Sequence, residues 1–314
     1  MFTLIVFLYS LDVKAWRLGP TRRCKSPSVF AGDFANENVE LVRSIANLTI
    51  PKAAILGNHD CWYTPQFSEK KKDSVQLQLA CLGEQHVGYC HLDFPTLKLS
   101  IVGGRPFSCG GDQLFRKRLL SARYGVSDMV GSAKKIYEAA LGIPDDHSII
   151  FLAHNGPTGL GSQINDICGK DWVFGGGDHG DPDLAQALSD LKKSTRLSIP
   201  LVVFGHMHKE LAYGNGLRKM IVVGADNTVY LNGAIVPRVK HSIGELGTSS
   251  RSYGNNEVPF QADGPHATLR AFTLIEMSDG RLEKITECWV SVSGDKVALE
   301  EENILFNSCT GLSS

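Results

Sequence analysis

The chain has 314 residues, of which 43% are hydrophobic and 21% are charged, and its formal net charge is −1. This is ordinary globular composition, and the length allows a large buried core. A near-neutral chain has no basic field for holding nucleic acid, so nucleic acid is not an expected partner. Eight cysteines without a C-x-x-C pair indicate reduced thiols of an intracellular protein rather than a disulfide framework or a zinc knuckle.

The first nine residues, Met1 to Tyr9, are apolar. This run is shorter than the roughly 20 apolar residues that cross a bilayer, and it has no basic leader. We therefore expect a buried first strand, without a signal peptide or a transmembrane segment. The expected location is the cytoplasm or an organelle, and no membrane partner is expected.

Short apolar runs then alternate with amphipathic segments. Bounded runs of four or five apolar residues predict buried strands at 53–56, 99–102, 148–152 and 201–204. Apolar residues spaced three and four apart predict helices that begin near Val39, Met129 and Leu184. The last of these follows Asp181, a predicted N-cap, and Pro182, a residue favoured at the first helical position.

The C-terminal part of the chain is strand-like. Apolar segments lie at 220–223, 228–231, 271–275 and 288–292, and Asp279-Gly280 predicts a hairpin turn between the last two. Residues 240–266 are rich in Gly, Ser, Asn and Pro, which predicts a long loop or insertion. We predict a single domain over residues 1–314, a layered α/β/β/α sandwich with a C-terminal region of antiparallel strands.

Metal-capable side chains follow the apolar segment at 29–31, which also predicts a strand, and the predicted strands at 53–56, 148–152 and 201–204. The carboxyl ends of parallel strands share one edge of a sheet, where α/β proteins bind ligands, so these side chains are expected to meet in one pocket. A mixed set of carboxylate, amide and imidazole ligands suits Mn, Fe or Zn. The candidate ligands are Asp33, Asn58, His154, His206 and His208.

The order of these motifs resembles the signature of calcineurin-like metallophosphoesterases. Gly-Asp at residue 33 is followed 25 residues later by Gly-Asn-His-Asp, then by a histidine at a strand end, then by Gly-His-x-His. The resemblance implies the sandwich fold of that family and two bound metal ions. It also implies hydrolysis of a phosphate mono- or diester by a metal-activated hydroxide.

The resemblance assigns a role to each matching residue. Asp33 would bridge the two metal ions, and His208 would bind the first of them. His59 would protonate the leaving-group oxygen, with Asp60 setting the orientation and pKa of the imidazole. The second metal site would be completed by Asn58, His154 and His206.

A purely structural role is the alternative for some of these residues. Asp33 and Asp60 could each be a turn or cap residue, and His154 could be a buried polar group with its hydrogen bonds satisfied.

The chain departs from the family at its first motif. The family begins with Asp-x-His, and the best match here is Asp12-Val13-Lys14. A protonated lysine has no lone pair and repels a dication, so we expect the first metal site, to which Asp12 remains a candidate ligand, to be only weakly occupied. Such a start is also what a truncated or alternatively spliced transcript would produce.

Three functions remain open at this point. They are an active phosphoesterase, a weakened scaffold that binds metal or phosphate without turnover, and a dimetal hydrolase of a non-phosphate ester or amide. The segment from Trp172 to His179 is either a substrate-facing loop or a plain surface loop. Arg105 is either a phosphate ligand or an ordinary exposed arginine. No motif identifies the substrate or the oligomeric state.

Overall fold

Two β-sheets form the centre of this computed structural model, which describes residues 2–7, 27–241, 268–293, 296–309 and 311–312. Asp12, Lys14 and most of the predicted insertion at 240–266 lie outside the described residues. No helix in the described ranges is long and apolar enough to cross a membrane.

The first sheet contains both ends of the chain. Its strands are β1 (Phe2–Phe7), β2 (Ser28–Phe30), β3 (Lys52–Ala54), β10 (Val239–His241), β11 (Thr268–Ser278), β12 (Arg281–Ser293), β13 (Lys296–Asn307) and β14 (Gly311–Leu312). Their order is β14-β13-β12-β11-β1-β2-β3, and β10 pairs with β11. β1, β2 and β3 are parallel, whereas β11 runs antiparallel to β1. The C-terminal antiparallel strands therefore continue the sheet that the N-terminal strand begins.

The second sheet lies wholly in the middle of the chain. Its strands are β4 (His91–Phe94), β5 (Leu99–Gly103), β6 (Ser148–Leu152), β7 (Ser198–Phe204), β8 (Ile221–Val223) and β9 (Val229–Asn232). Their order is β4-β5-β6-β7-β9-β8. The four central strands are parallel, and the two edge strands are antiparallel to their neighbours.

Five α-helices are present among the described residues. They are α1 (Val39–Ala46), α2 (Ser74–Leu82), α3 (Lys117–Tyr124), α4 (Met129–Ala139) and α5 (Pro182–Ser194). α1 packs on α2 and α4 packs on α5, and α4 also contacts β5. Asn38 and Asp128 cap α1 and α4 by accepting backbone N–H bonds, and Asp73 forms a capping box with Gln76 at α2.

Alternation along the strands produces separate apolar layers. In β1, Leu4 and Val6 join a core made of strand residues from both sheets, whereas Ile5 and Phe7 join a core that includes the helices. Successive strand residues point to opposite faces, so a strand that is apolar at every position must be covered on both faces. The molecule is the predicted α/β/β/α sandwich, and the fold class is confirmed.

The hairpin turn also matches its prediction. Asp279 and Gly280 connect β11 to β12 with φ values of 48° and 76°. Both central residues are thus left-handed, as in the turns that suit the twist of a two-residue hairpin. Other elements carried too little apolar periodicity to be predicted: α2 buries Gln78, and β13 exposes a run of glutamates around Glu301.

Candidate metal centre

The metal-capable residues follow strands of both sheets. Asp33 and Asn58 come after β2 and β3, which are neighbours in the first sheet. His154 and His206 come after β6 and β7, which are neighbours in the second. The site therefore forms where the carboxyl ends of four strands from two packed sheets meet.

Four atoms with lone pairs converge there. Asp33, His154 and His206 each provide one potential ligand atom, and these atoms lie within 4.8 Å of one another. Asn58 Oδ1 is 2.9 Å from His154 Nε2 and 3.1 Å from His206 Nδ1. His154 Nε2 is also 3.4 Å from Asp33 Oδ1. Asp33, Asn58 and His154 are buried, and His206 is partly buried.

This arrangement suits a cation. His154 Nδ1 is 2.6 Å from the carbonyl oxygen of Ala31 and so donates to it, which leaves Nε2 as the lone-pair nitrogen of the neutral ring. That nitrogen faces two further acceptors, Asn58 Oδ1 and Asp33 Oδ1. Burial alone would lower the pKa of His154, but the charge and hydrogen bond of Asp33, together with the Ala31 carbonyl and the charge of Asp60, raise it. A proton or a metal ion between these atoms relieves the repulsion, and the donor set fits a metal.

The backbone carries unusual conformations at two of these positions. Asp33 has φ of 59° and His206 has φ of 65°, both in the left-handed region that few non-glycine residues occupy. Such a conformation costs about 1–3 kcal/mol and persists where the surroundings hold it in place. Strain of this kind concentrates at functional sites, and here it falls on two of the convergent residues.

Glycine at position 57 allows the ligands to approach each other. A Cβ there would lie 2.3 Å from His154 Cε1 and 2.4 Å from Asp33 Oδ1, well inside van der Waals contact. Gly32 is similarly enclosed, since its Cβ would lie 2.5 Å from the backbone nitrogen of Gly57. The glycines that the sequence places before Asp33 and Asn58 are thus required by the packing of the site itself.

Asp60 holds the two motif loops together. Its Oδ2 accepts the backbone N–H groups of Asp33 at 2.9 Å and Gly57 at 2.7 Å, and its Oδ1 accepts that of Phe34 at 2.8 Å. Burial raises the pKa of Asp60 to about 8 and the charge of Asp33 adds to the rise, while the amide donors oppose it.

His59 is half-buried beside the cluster and has other partners. Its Nδ1 is 2.6 Å from Asn36 Oδ1, and its ring stacks on Trp62 with a centroid distance of 4.8 Å. Its backbone N–H donates to Asp33 Oδ1 at 3.0 Å. The contacts that orient the imidazole thus come from Asn36 and Trp62, rather than from the Asp60 carboxylate that the resemblance suggested. Proton donation by His59 stays a prediction.

The residues expected at the first metal are not assembled in the same way. His208 is exposed and does not belong to the group of ligand atoms around Asp33. Asp12 lies outside the described residues. Within the part of the chain that the structure describes, one group of potential ligand atoms lies close enough together to hold a cation, and it consists of residues that the resemblance assigned to the second metal.

The segment from Trp172 to His179 lies beside this site. The His179 ring stacks on the His206 ring at a centroid distance of 5.9 Å, and Trp172 meets His179 edge-on at 4.7 Å. The run of glycines at 175–177 was the only sequence signal for such a segment, and it did not indicate a contact with His206.

Arg105 is neither exposed nor a free phosphate ligand. It is 1% exposed, and its guanidinium lies 2.8 Å from Asp181 and 2.9 Å from Asp183. Asp181 occupies the N-cap position of α5 as predicted, but its carboxylate makes no cap hydrogen bond and instead accepts from Arg105 and Ser108. This buried pairing anchors the start of α5 just beyond the His179 segment.

Comparison with protein families agrees with the site geometry. The family model for calcineurin-like phosphoesterases matches residues 16–210, which is more than half of the chain and includes every motif from Asp33 to His208. Comparison with curated proteins gave no matching relative. The chain therefore belongs to the calcineurin-like phosphoesterase family, whose members are in general metal-dependent hydrolases of phosphate esters.

Proposed function

We propose that this protein is a metal-dependent phosphoesterase that hydrolyses a phosphate mono- or diester. The observation that supports this most directly is the convergence of His154 Nε2, Asn58 Oδ1, an Asp33 oxygen and a His206 nitrogen in one partly buried site. When His154 is neutral, its Nε2, Asn58 Oδ1 and the Asp33 oxygen are all acceptors, and a cation would stabilise this arrangement.

The chain offers a complete donor set for one ion. Asp33, Asn58, His154 and His206 would hold it, and oxygen with imidazole nitrogen suits Mn, Fe or Zn. Burial, together with the nearby charge of His154, lowers the pKa of His206 to about 3, so this imidazole is neutral and able to ligate at neutral pH. A metal held there would act as a Lewis acid towards phosphoryl oxygens and would lower the pKa of a coordinated water towards 7.

In this proposal His59 would donate a proton to the leaving group. In its protonated form, Nδ1–H donates to Asn36 Oδ1, which leaves Nε2–H available to the leaving oxygen. The stacking contact with Trp62 fixes the plane of the ring. Asp60 contributes indirectly, because it fixes the backbone of Asp33 and Gly57 on which the site is built.

A second candidate function is phosphate binding without turnover. It is favoured by the exposed position of His208 and by Lys14 in the place where the family has histidine. The family in general uses two metal ions, and this chain would then retain only the second site.

An intracellular location is part of the proposal. Seven cysteines among the described residues are free thiols, and four of them are exposed or partly exposed. Unpaired thiols in that number are typical of proteins kept in a reducing compartment.

Metal content and turnover, measured together, test the proposed function. With Mn²⁺ added, the protein should hydrolyse p-nitrophenyl phosphate or bis-p-nitrophenyl phosphate, and a chelator should abolish the activity. Asp33→Asn removes the charged ligand. It should weaken metal binding by more than about 10–100-fold, which is the loss typical when a residue that contacts a ligand, rather than the metal itself, is replaced. Asp145→Asn, at an exposed position, is the matched control. Hydrolysis that survives chelation, or an Asp33→Asn protein that retains both metal and activity, would refute the proposal.

A further inference from the structure

A cleft of about 630 Å³ adjoins the metal centre. Pockets that hold small ligands typically have volumes of about 300–1,000 Å³. The cleft shares His179 with the edge of the metal centre, since the ring of that residue stacks on His206 at 5.9 Å. It is therefore continuous with the site where a phosphate ester would react.

The cleft is basic. Arg116, Lys117, Arg118 and Lys170 line it, against a single acidic residue, Asp112. No carboxylate in the described ranges forms an ion pair with any of the four cations. Arg116 and Arg118 donate hydrogen bonds to uncharged oxygens, those of the Cys61 and Trp62 carbonyls and of the Gln66 side chain, so their charges are not neutralised. Cations that share a concave surface create a positive potential, which favours an anionic ligand.

Two aromatic residues line the cleft. Trp172 is 49% exposed and contacts His179. The ring of Phe115 lies 6.1 Å from that of Trp62, which stacks on His59. Exposed aromatic surface next to cations favours a ligand that is both planar and charged.

The position of His59 indicates which part of a substrate would occupy the cleft. In hydrolysis a water oxygen forms a bond to phosphorus and the ester P–O bond breaks. The leaving oxygen takes a proton from His59, and the proton released by the water returns to His59 through solvent. The leaving group must therefore lie on the His59 side, where the ring series His59–Trp62–Phe115 leads into the cleft.

We propose that this leaving-group cleft selects phosphoesters whose leaving group carries an aromatic ring and a second anionic group. The ring would lie against Trp172, and the second anion would pair with Lys117 or Lys170. This inference rests on the proposed function, because only turnover defines a leaving group.

Four phosphomonoesters separate the two preferences. Phenyl phosphate and 4-carboxyphenyl phosphate differ by one anionic group, as do glycerol 3-phosphate and 3-phosphoglycerate, and the pairs differ from each other by the ring. The wild-type kcat/KM should be highest for 4-carboxyphenyl phosphate. Lys117→Gln and Lys170→Gln should each lower the ratio between the carboxylated and uncarboxylated aryl esters by about threefold, the size of one exposed ion pair. Trp172→Ala should lower the ratio between aryl and glycerol esters by about fivefold, as expected for one aromatic contact.

Lys135→Gln, on the exposed surface of α4, is the matched control and should change neither ratio. If all four esters are hydrolysed and the ratios are the same in every variant, the cleft proposal is wrong while the proposed function stands. If no ester is hydrolysed, the proposed function has failed. Calorimetric titration of the chelated protein with 4-carboxyphenyl phosphate then decides whether the cleft binds a ligand with an aromatic ring and a second anion. Weaker binding to the Trp172→Ala and Lys170→Gln proteins supports the cleft, and equal binding overturns it.

Discussion

The imidazole of His59 lies between partners from two different loops. Asn36 follows β2 and accepts from Nδ1, while Trp62 ends the short 3-10 turn that His59 begins. Asn36 is itself held by the Tyr63 hydroxyl, since its Nδ2 donates to that oxygen at 3.3 Å. The ring thus has Nδ1 hydrogen-bonded and one face covered by Trp62, while Nε2 has no hydrogen-bond partner among the residues that the structure describes.

Replacing His59 should separate catalysis from metal binding. His59→Ala should lower kcat by about 10²–10⁴-fold, the usual contribution of a positioned proton donor, while metal occupancy stays unchanged. Asn36→Ala should lower kcat by less, because the imidazole remains but is no longer oriented. Steady-state kinetics and elemental analysis on the same samples test both statements. A His59→Ala protein that loses metal would identify His59 as a ligand instead.

Gly57 provides a test of the packing around the ligands. Gly57→Ala introduces a methyl group where His154 and Asp33 come within about 2.5 Å of the added carbon. The ligands must move apart, so metal affinity should fall by at least about 10-fold. Calorimetric metal titration measures this directly. Unchanged affinity would mean that the loop relaxes without disturbing the ligand set.

The loops that follow the strands carry the site residues, and neighbouring elements hold these loops in place through hydrogen bonds. After β3, the backbone N–H of Leu56 donates to His86 Nε2 at 3.3 Å, and His86 comes from the segment that follows α2. Burial, together with the charge of Arg123, lowers the pKa of His86 to about 3. A buried neutral imidazole therefore holds the strand end that leads to Asn58.

The contribution of His86 to the stability of the fold should decrease as the pH falls. In the unfolded chain His86 takes up a proton near pH 6.5, whereas in the folded protein it does so only near pH 3. Between these values the unfolded state binds more protons, so the contribution of His86 to stability is complete above pH 6.5 and decreases as the pH falls. At pH 7.5 the substitution His86→Gln should lower the free energy of unfolding by about 1–3 kcal/mol, because the hydrogen bond from Leu56 is lost.

The difference in unfolding free energy between the wild-type and His86→Gln proteins should become smaller as the pH falls towards 4.5. Urea denaturation of the chelated proteins across this range measures it. A difference that does not change with pH would show that His86 takes up its proton at the same pH in the folded and unfolded states.

Both ends of the chain belong to the same sheet. β11 pairs with β1 over five residue pairs from Phe2–Met277 to Val6–Thr273, and β12 and β13 extend the sheet outward. The family match ends at residue 210, before these strands. We infer that the chain folds as one domain and that the C-terminal strands are part of it, because β11 is the neighbour of β1 on that side among the strands that the structure describes.

Metal stoichiometry is the property of the whole protein that the first motif should control. The second site has four donors together, whereas the first depends on Asp33, the exposed His208 and Asp12. We expect one tight site and a second that fills only at high metal concentration. Lys14→His should restore a neutral donor and should raise both the affinity of the weak site and the rate of hydrolysis. Two equally tight sites in the unmodified protein would contradict this expectation.

Sequence alone determined the layers of this protein and the identity of its motifs. Strands made of consecutive apolar residues are buried on both faces, amphipathic helices cover the sheets, and turn residues such as Asp279-Gly280 adopt left-handed conformations. These effects act between near neighbours in the chain, so the sequence alone predicts them. The glycine, aspartate and histidine motifs identified the family for the same reason. Each motif consists of neighbouring residues, and the order of the motifs along the chain can be read from the sequence.

Tertiary structure decided what each side chain contacts. Asp60 binds the backbone of Asp33 and Phe34, Asn36 orients His59, and His179 contacts His206, although the residues of each pair are more than 20 positions apart in the chain. Arg105 turned inward because two aspartates at the start of α5 pair with it in the interior. Contacts of this kind arise from packing elements that are distant in sequence, and no periodicity along the chain encodes them.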